Sequence, residues 1–278
     1  RERQGRTFGL ITAAGSFGMF AVVPAAQWVL TSFGWRTTFM ALAIFVLIIS
    51  ALATGYPRAP RSKTAASSSA EVEGSLLQIM LKAKNHSGYW LLNLGFFVCG
   101  FHVAFVATHL PAYLTDNGLT PAIGATALSL VGLFNLAGSY LFGYLGDFYR
   151  KKYLLSAIYL GRAVVFAIFM LAPVTNSSAL IFGSAIGFLW LATVPLTSGM
   201  VAQIFGSRYL STLYGFVFFS HQIGAFLGVW LGGRLYDTIG NYTPVWLIAI
   251  GLGVLASVAN LPISDRPMVV EVVPAAAD

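Results

Sequence analysis

The chain has 278 residues, 57% of them hydrophobic and only 9% charged, with a mean hydropathy of +0.77. A soluble domain carries about a quarter charged residues, and a soluble helical core needs polar faces at helical spacing; the segment 37–55 (TTFMALAIFVLIISALATG) is apolar all round, so an ordinary soluble fold is excluded. The net charge of +7 sits at the ends of apolar stretches, a distribution that reports membrane topology and argues against nucleic acid as a partner.

A bilayer core about 30 Å thick takes about 20 apolar residues per helix. By that measure eight spans are predicted, at about 8–31, 37–55, 89–112, 123–145, 153–172, 179–204, 212–234 and 244–262. The chain opens RERQGRTFG, with charged residues running straight into a full-length span and no cleavable signal pattern. It does not begin with Met, from which the reading expects something upstream. Between the second and third spans, 56–85 is rich in Pro, Ser and Ala and carries charge, the composition of a flexible linker ending in a short amphipathic stretch.

The third span holds Cys99, His102 and His109. A single cysteine leaves no disulfide or cysteine-based metal site, and a buried thiol is the expected state. The two histidines lie on one face but about 10 Å apart along the axis, too far to share a metal ion. They are candidates for lining a solute pathway. The fifth span carries Arg162 about 14 Å into its helix, too deep to snorkel with ease. Two readings of it stand: an anion counter-charge, or an arginine satisfied by carbonyls and Asn135 between packed helices. The sixth span carries Trp190, Thr193, Pro195 and Thr197, and Pro195 is placed to bend it at a gate. The seventh carries His221 and Gln222, with Gly224, Gly228 and Gly232 at four-residue intervals forming a groove for close helix approach, as Gly183 and Gly187 do in the sixth.

Thirteen Lys and Arg residues fall before the first span, in alternate loops and in the tail, against Arg36 and Arg234 on the other side. The positive-inside bias predicts both termini in the cytoplasm of a cell that holds this protein in its inner (cytoplasmic) membrane. Contact of basic loops with anionic membrane lipid is a minor expectation. All nine Asp and Glu lie outside the spans. Proton coupling would therefore fall to a histidine or to a part of the protein upstream. Arg162, three intramembrane histidines and no carboxylate favour a small organic anion such as a carboxylate as solute, with H+ as a candidate coupled ion.

A shift of 206 residues lays the first hairpin on the last: Gly9, Gly18 and Gly34 fall on Gly215, Gly224 and Gly240, and Phe8, Phe17 and Phe20 on Tyr214, Ile223 and Phe226. Read as a true repeat, this divides the chain into 1–55, the last two helices of a six-helix half; 56–85, a cytoplasmic linker; 86–263, a complete six-helix half; and 264–278, a cytoplasmic tail. The first half then lacks four N-terminal helices, which become partners the present chain needs. Taken by itself it is not expected to transport.

Parallel six-helix halves are the architecture of the major facilitator superfamily, and the motifs resemble that family. Gly143, Gly146, Asp147, Arg150, Lys151 and Lys152 resemble its G-x-x-x-D-R-x-G-R-R loop, without the Arg directly after Asp147 and the Gly that follows. Gly5-Arg6 and Gly34-Trp35-Arg36 look like the loops flanking the family's fifth helix, so the chain reads as helices five to twelve of twelve, an all-α membrane bundle. TALSLVGLFNLAGSYLFG in the fourth span resembles bacterial monocarboxylate and oxalate/formate-type permeases. Eukaryotic monocarboxylate carriers place an Asp and an Arg there, where this chain has Asn135 and Ser139; Asn135 remains a candidate polar contact in the pathway. The resemblance implies a secondary active transporter working by alternating access, with Asp147, Arg150 and Lys151 as a charge latch between states. The substrate-pathway candidates are His102, His109, Asn135, Arg162, Trp190, Thr193, His221 and Gln222.

No metal-ligand spacing, G-x-S-x-G or phosphate-binding loop is present, so catalytic residues, metal and cofactor are not expected. A non-transporting receptor or scaffold and a membrane-embedded enzyme are the alternative readings.

Overall fold

The computed structural model describes residues 4–53, 55 and 76–268. These form helices in chain order: α1 (Gln4–Ala53), α2 (Leu76–Lys84), α3 (Ser87–Asp116), α4 (Pro121–Phe148), α5 (Lys151–Leu171), α6 (Asn176–Leu189), α7 (Thr193–Phe205), α8 (Leu210–Ile239) and α9 (Thr243–Asn260). No strand occurs among the described residues. Most of the linker (56–75) and the tail beyond 268 lie outside them.

Among the described residues, seven helical stretches are long and apolar enough to cross a membrane. The first, Phe17–Leu52, has 36 residues, about 54 Å as a straight helix and well beyond one hydrocarbon thickness. It is broken at Gly34, whose φ of 79° and ψ of 171° are not helical and suit a residue without Cβ. That break falls between the two spans expected at 8–31 and 37–55, so the expected loop shrinks to one residue and eight apolar spans are present. The expected sixth span is likewise two helices in line, α6 and α7, interrupted at 190–192.

Small residues set how closely the helices approach. A Cβ on Gly224 would collide with the backbone of Phe97, and one on Gly228 would meet Phe101 O at 2.5 Å, so the predicted glycine groove of α8 seats α3. Gly183 does the same against Ala127 and Gly187 against Val131, closing α6 on α4. On α4, a Cβ at Gly132 would lie 2.6 Å from Phe20 N of α1, and Ser129 Oγ donates to Phe20 O at 3.0 Å.

Two apolar cores result. One gathers α2, α3, α5, α7 and α8 around Phe96, Leu155, Ile158 and Met200. The other gathers α3, α4, α5, α6 and α9 around Phe105, Phe166, Phe182 and Trp246, where Phe169 stacks on Phe182 at 4.1 Å. Large apolar residues cover the outside instead of polar ones, among them Phe148, Ile168, Leu171 and Ile181. Such a surface fits hydrocarbon as its solvent.

Candidate functional site

The break between α6 and α7 organises the polar residues of the interior. Pro195 has no N–H and cannot bond the Leu191 carbonyl four residues back, and the chain tightens there: Trp190 N donates to Gly187 O and Val194 N to Leu191 O, each a three-residue step. The carbonyls of Leu189 and Trp190 are thereby left without their usual helical donors.

Arg162 of α5 supplies those donors. Its Nε and Nη2 reach Leu189 O at 3.1 and 2.9 Å, and Nη2 also donates to Trp190 O. On the other side Asn135 Oδ1 of α4 accepts Leu191 N at 2.9 Å and Ser139 Oγ at 2.9 Å. Arg162 is 1% exposed. Its Nη1 is buried with no hydrogen-bond partner among the described residues.

Cys99 of α3 completes this junction. Its Sγ lies 3.6 Å from Arg162 Nη2 and 3.3 Å from Thr193 Oγ1 at the start of α7. His221 of α8 is a further polar neighbour of the thiol; its ring stacks on Phe218 at 5.2 Å and its Nδ1 is 3.2 Å from Gln222 Oε1. Five of the eight pathway candidates, Asn135, Arg162, Trp190, Thr193 and His221, are thus gathered around one helix break, with exposed Gln222 beside His221. Cys99, read from sequence only as a buried thiol, joins them.

His102 and His109 are placed elsewhere. His102 Nε2 is 2.8 Å from Ala249 O of α9, and His109 Nε2 is 2.9 Å from Val229 O of α8. Each ties α3 to a different neighbour. Among the described residues no cluster of His, Cys, Asp or Glu is suited to a metal ion.

A cavity of about 420 Å³ opens between α1, α7 and α8, lined by Thr12, Val194, Ser198, Ser207, Leu210, Ser211 and Tyr214. Four of these carry aliphatic hydroxyls, and the Tyr214 hydroxyl is buried with no partner among the described residues. Tyr214 packs on Phe96 at 5.7 Å and on Phe218, so it stands between the cavity and the His221 side of the junction. Sequence reasoning did not single out Tyr214, Ser198 or Ser211. The only available signal was the fall of Tyr214 on Phe8 in the 206-residue register.

Near the start of α5, Arg150 Nη2 and Nε hold the two carboxylate oxygens of Asp265 at 2.6 and 2.9 Å. Gln203 Nε2 donates to Asp265 O at 2.7 Å, and Lys151 Nζ to Gln203 Oε1 at 3.0 Å. Two of the three latch candidates therefore bind the α4–α5 turn to the end of α7 and to the segment after α9. The hydrogen bonds from Arg150 hold the Asp265 carboxyl below the ordinary carboxylate range, against the opposing effect of partial burial.

The sequence profile of the Major Facilitator Superfamily matches residues 1–228 and 94–272. This chain belongs to the Major Facilitator Superfamily. It is similar to an uncharacterised MFS-type transporter of Bacillus subtilis (strain 168), YcxA, at 23% identity over 283 residues, covering 95% of this chain and 65% of that protein. It is also similar to monocarboxylate transporter 13 of Rattus norvegicus, at 27% over 267 residues, with coverage of 93% and 60%. Human monocarboxylate transporter 12 matches at 24% over 279 residues, covering 89% of this chain and 54% of that protein. The chain therefore spans about 54–65% of the length of these curated relatives. They are named as transporters, and the superfamily is one of transporters, not enzymes.

Proposed function

We propose that the protein is a secondary active permease that carries a small organic anion, most simply a carboxylate, by alternating access. The observation that carries this reading is the largely apolar cavity of about 420 Å³ between α1, α7 and α8, edged by Thr12, Ser198, Ser207 and Ser211, in a chain of this family whose relatives include proteins named monocarboxylate transporters. Its volume is in the range of small-molecule sites. Serine hydroxyls can donate to carboxylate oxygens, and the Tyr214 hydroxyl, buried just behind the cavity surface, is a donor that has no acceptor among the described residues.

In this reading the junction of Arg162, Cys99, Thr193 and His221 lies behind the cavity wall, and the buried guanidinium, which has no carboxylate bonded to it among the described residues, adds a positive field. His221 is the group of this half placed to titrate if transport is coupled to H+. The charge distribution supports cytoplasmic placement of the α2 segment, the α4–α5 turn and the 206–209 turn, in a cell membrane.

The 206-residue repeat supports a pseudo-symmetric pair of halves. It lays Phe20 and Val23 on Phe226 and Val229 of α8. Val23 packs within the α4 side of the core, whereas Phe226 and Val229 are exposed. A helix standing to α8 as α4 stands to α1 would cover that face, which fits a first half reaching upstream of Arg1. The two overlapping family matches are compatible with the same duplication.

Binding by the complete reading-frame product tests the reading. Small carboxylates are expected to raise its melting temperature saturably, and Tyr214→Phe to weaken the response. A panel of carboxylates that leaves the melting temperature unmoved argues for a receptor or scaffold instead.

A further inference from the structure

We infer that Arg162 and Asn135 are positioning residues that hold the α6–α7 break open and so set the register in which α7 presents Val194 and Ser198 to the solute cavity. The inference rests on the cavity reading above for its consequence, but not for its geometry.

Hydrogen-bond accounting carries it. A continuous helix through 189–195 would give the Leu189 carbonyl to Thr193 N–H and the Trp190 carbonyl to Val194 N–H. Instead Val194 N–H is spent on Leu191 O at 2.9 Å, and the position that should serve Leu191 is Pro195. The guanidinium, with donors in a fixed planar fork, covers both orphaned carbonyls at once. Asn135 covers the orphaned N–H of Leu191 from the opposite side. Three backbone groups of the break are thus satisfied by side chains from two other helices, α5 and α4, and these side chains are themselves buried. Leaving such groups unmet in a dry interior is disfavoured, so the break and its two partners stand or fall together.

The consequence lies one turn on. Val194 and Ser198 line the cavity from α7, and Thr193 holds Cys99 from α3. If the break closed into regular helix, α7 would rotate and shift relative to α3 and α8, moving all three residues. Arg162 therefore acts on the solute through α7 and makes no contact with the cavity itself.

Cys99 provides the readout, being fully buried and against both Arg162 and Thr193. The complete reading-frame product, in liposomes and without solute, is treated with methyl methanethiosulfonate, and the peptide bearing Cys99 is followed by mass spectrometry. Arg162→Gln and Asn135→Ala are expected to speed labelling at least about tenfold over the parent, since an opened junction admits reagent to a buried thiol; Asn135→Ala keeps the Arg162 charge beside the thiol and so isolates access from thiolate content. Asn135→Asp keeps an acceptor oxygen toward Leu191 N–H and should label more slowly than Asn135→Ala. Pro195→Ala restores an N–H at the break, so the Arg162→Gln/Pro195→Ala double variant should return to slow labelling and, where Arg162→Gln alone fails to fold, should recover a monodisperse protein. Parental labelling in folded Arg162→Gln and Asn135→Ala would overturn the inference. So would a double variant no better than Arg162→Gln. Because the assay contains no solute, these failures are separate from a failure to find a transported anion.

Discussion

Arg150 and Asp265 form a two-pronged ion pair across 115 residues of sequence, with Nη2–Oδ1 at 2.6 Å and Nε–Oδ2 at 2.9 Å. It closes a ring that includes Gln203 and Lys151 and links the α4–α5 turn, the end of α7 and the segment after α9. Because the Asp265 carboxyl titrates below its ordinary range in the folded protein, its contribution is complete above the unfolded carboxylate pKa, about 3.9, and is lost as pH falls through the lowered folded value. Asp265→Asn is therefore expected to melt a few degrees below the parent at pH 7. The gap should narrow on acidification through that range. A gap that widens toward acid would contradict the assignment.

Asp147 is the remaining latch candidate, in the last turn of α4 three residues before Arg150 and itself engaged in interactions. Asp147→Asn is expected to slow transport several-fold while leaving expression and monodispersity unchanged. Initial uptake rates in proteoliposomes check this, and parental rates would remove Asp147 from any switching role.

Much of the architecture was legible in the chain because its causes are local. Apolar length marks the spans, Pro195 marks the interruption between α6 and α7, and the glycine spacing of α8 marks the face that meets α3. The expected loop between the first two spans proved to be a single residue, since a glycine at positive φ makes the break alone. The site was less legible, for a physical reason. Satisfaction of Arg162 by carbonyls is one of the two readings the sequence offers, but the particular carbonyls, those of Leu189 and Trp190, have no residue signature and are free only because of a proline several residues further on. The partner of Arg150 is an aspartate near the tail, a pairing no local pattern announces. Tyr214 became notable only when its hydroxyl was seen without an acceptor.

The α3–α8 contact offers a packing test. Gly224→Ala drives a Cβ into the Phe97 carbonyl, and overfilling of this kind costs about 1–3 kcal/mol. Size-exclusion profiles after heating should show earlier loss of the monodisperse peak than in the parent. Gly215→Ala, on the same helix with nothing within 4 Å of the added Cβ, should behave as the parent does.

Tyr214→Phe separates a structural from a solute-binding hydroxyl. A buried hydroxyl without a partner adds nothing to the empty fold, so melting temperature should hold or rise. Loss of one hydrogen bond to a charged solute is expected to raise KM about tenfold, roughly 1.4 kcal/mol, with the maximal rate little changed. An unchanged KM would move the solute site away from this cavity.

The central claim is that this member of the superfamily moves an organic anion by alternating access, and counterflow tests it most directly. Proteoliposomes of the complete reading-frame product are loaded with an unlabelled small monocarboxylate and diluted into a trace of the same compound carrying a radiolabel. The account predicts transient accumulation of label above the equilibrium level, saturable in the internal carboxylate and absent from protein-free liposomes. Label that only equilibrates, across a panel of small carboxylates and with a protein that remains folded, would contradict it.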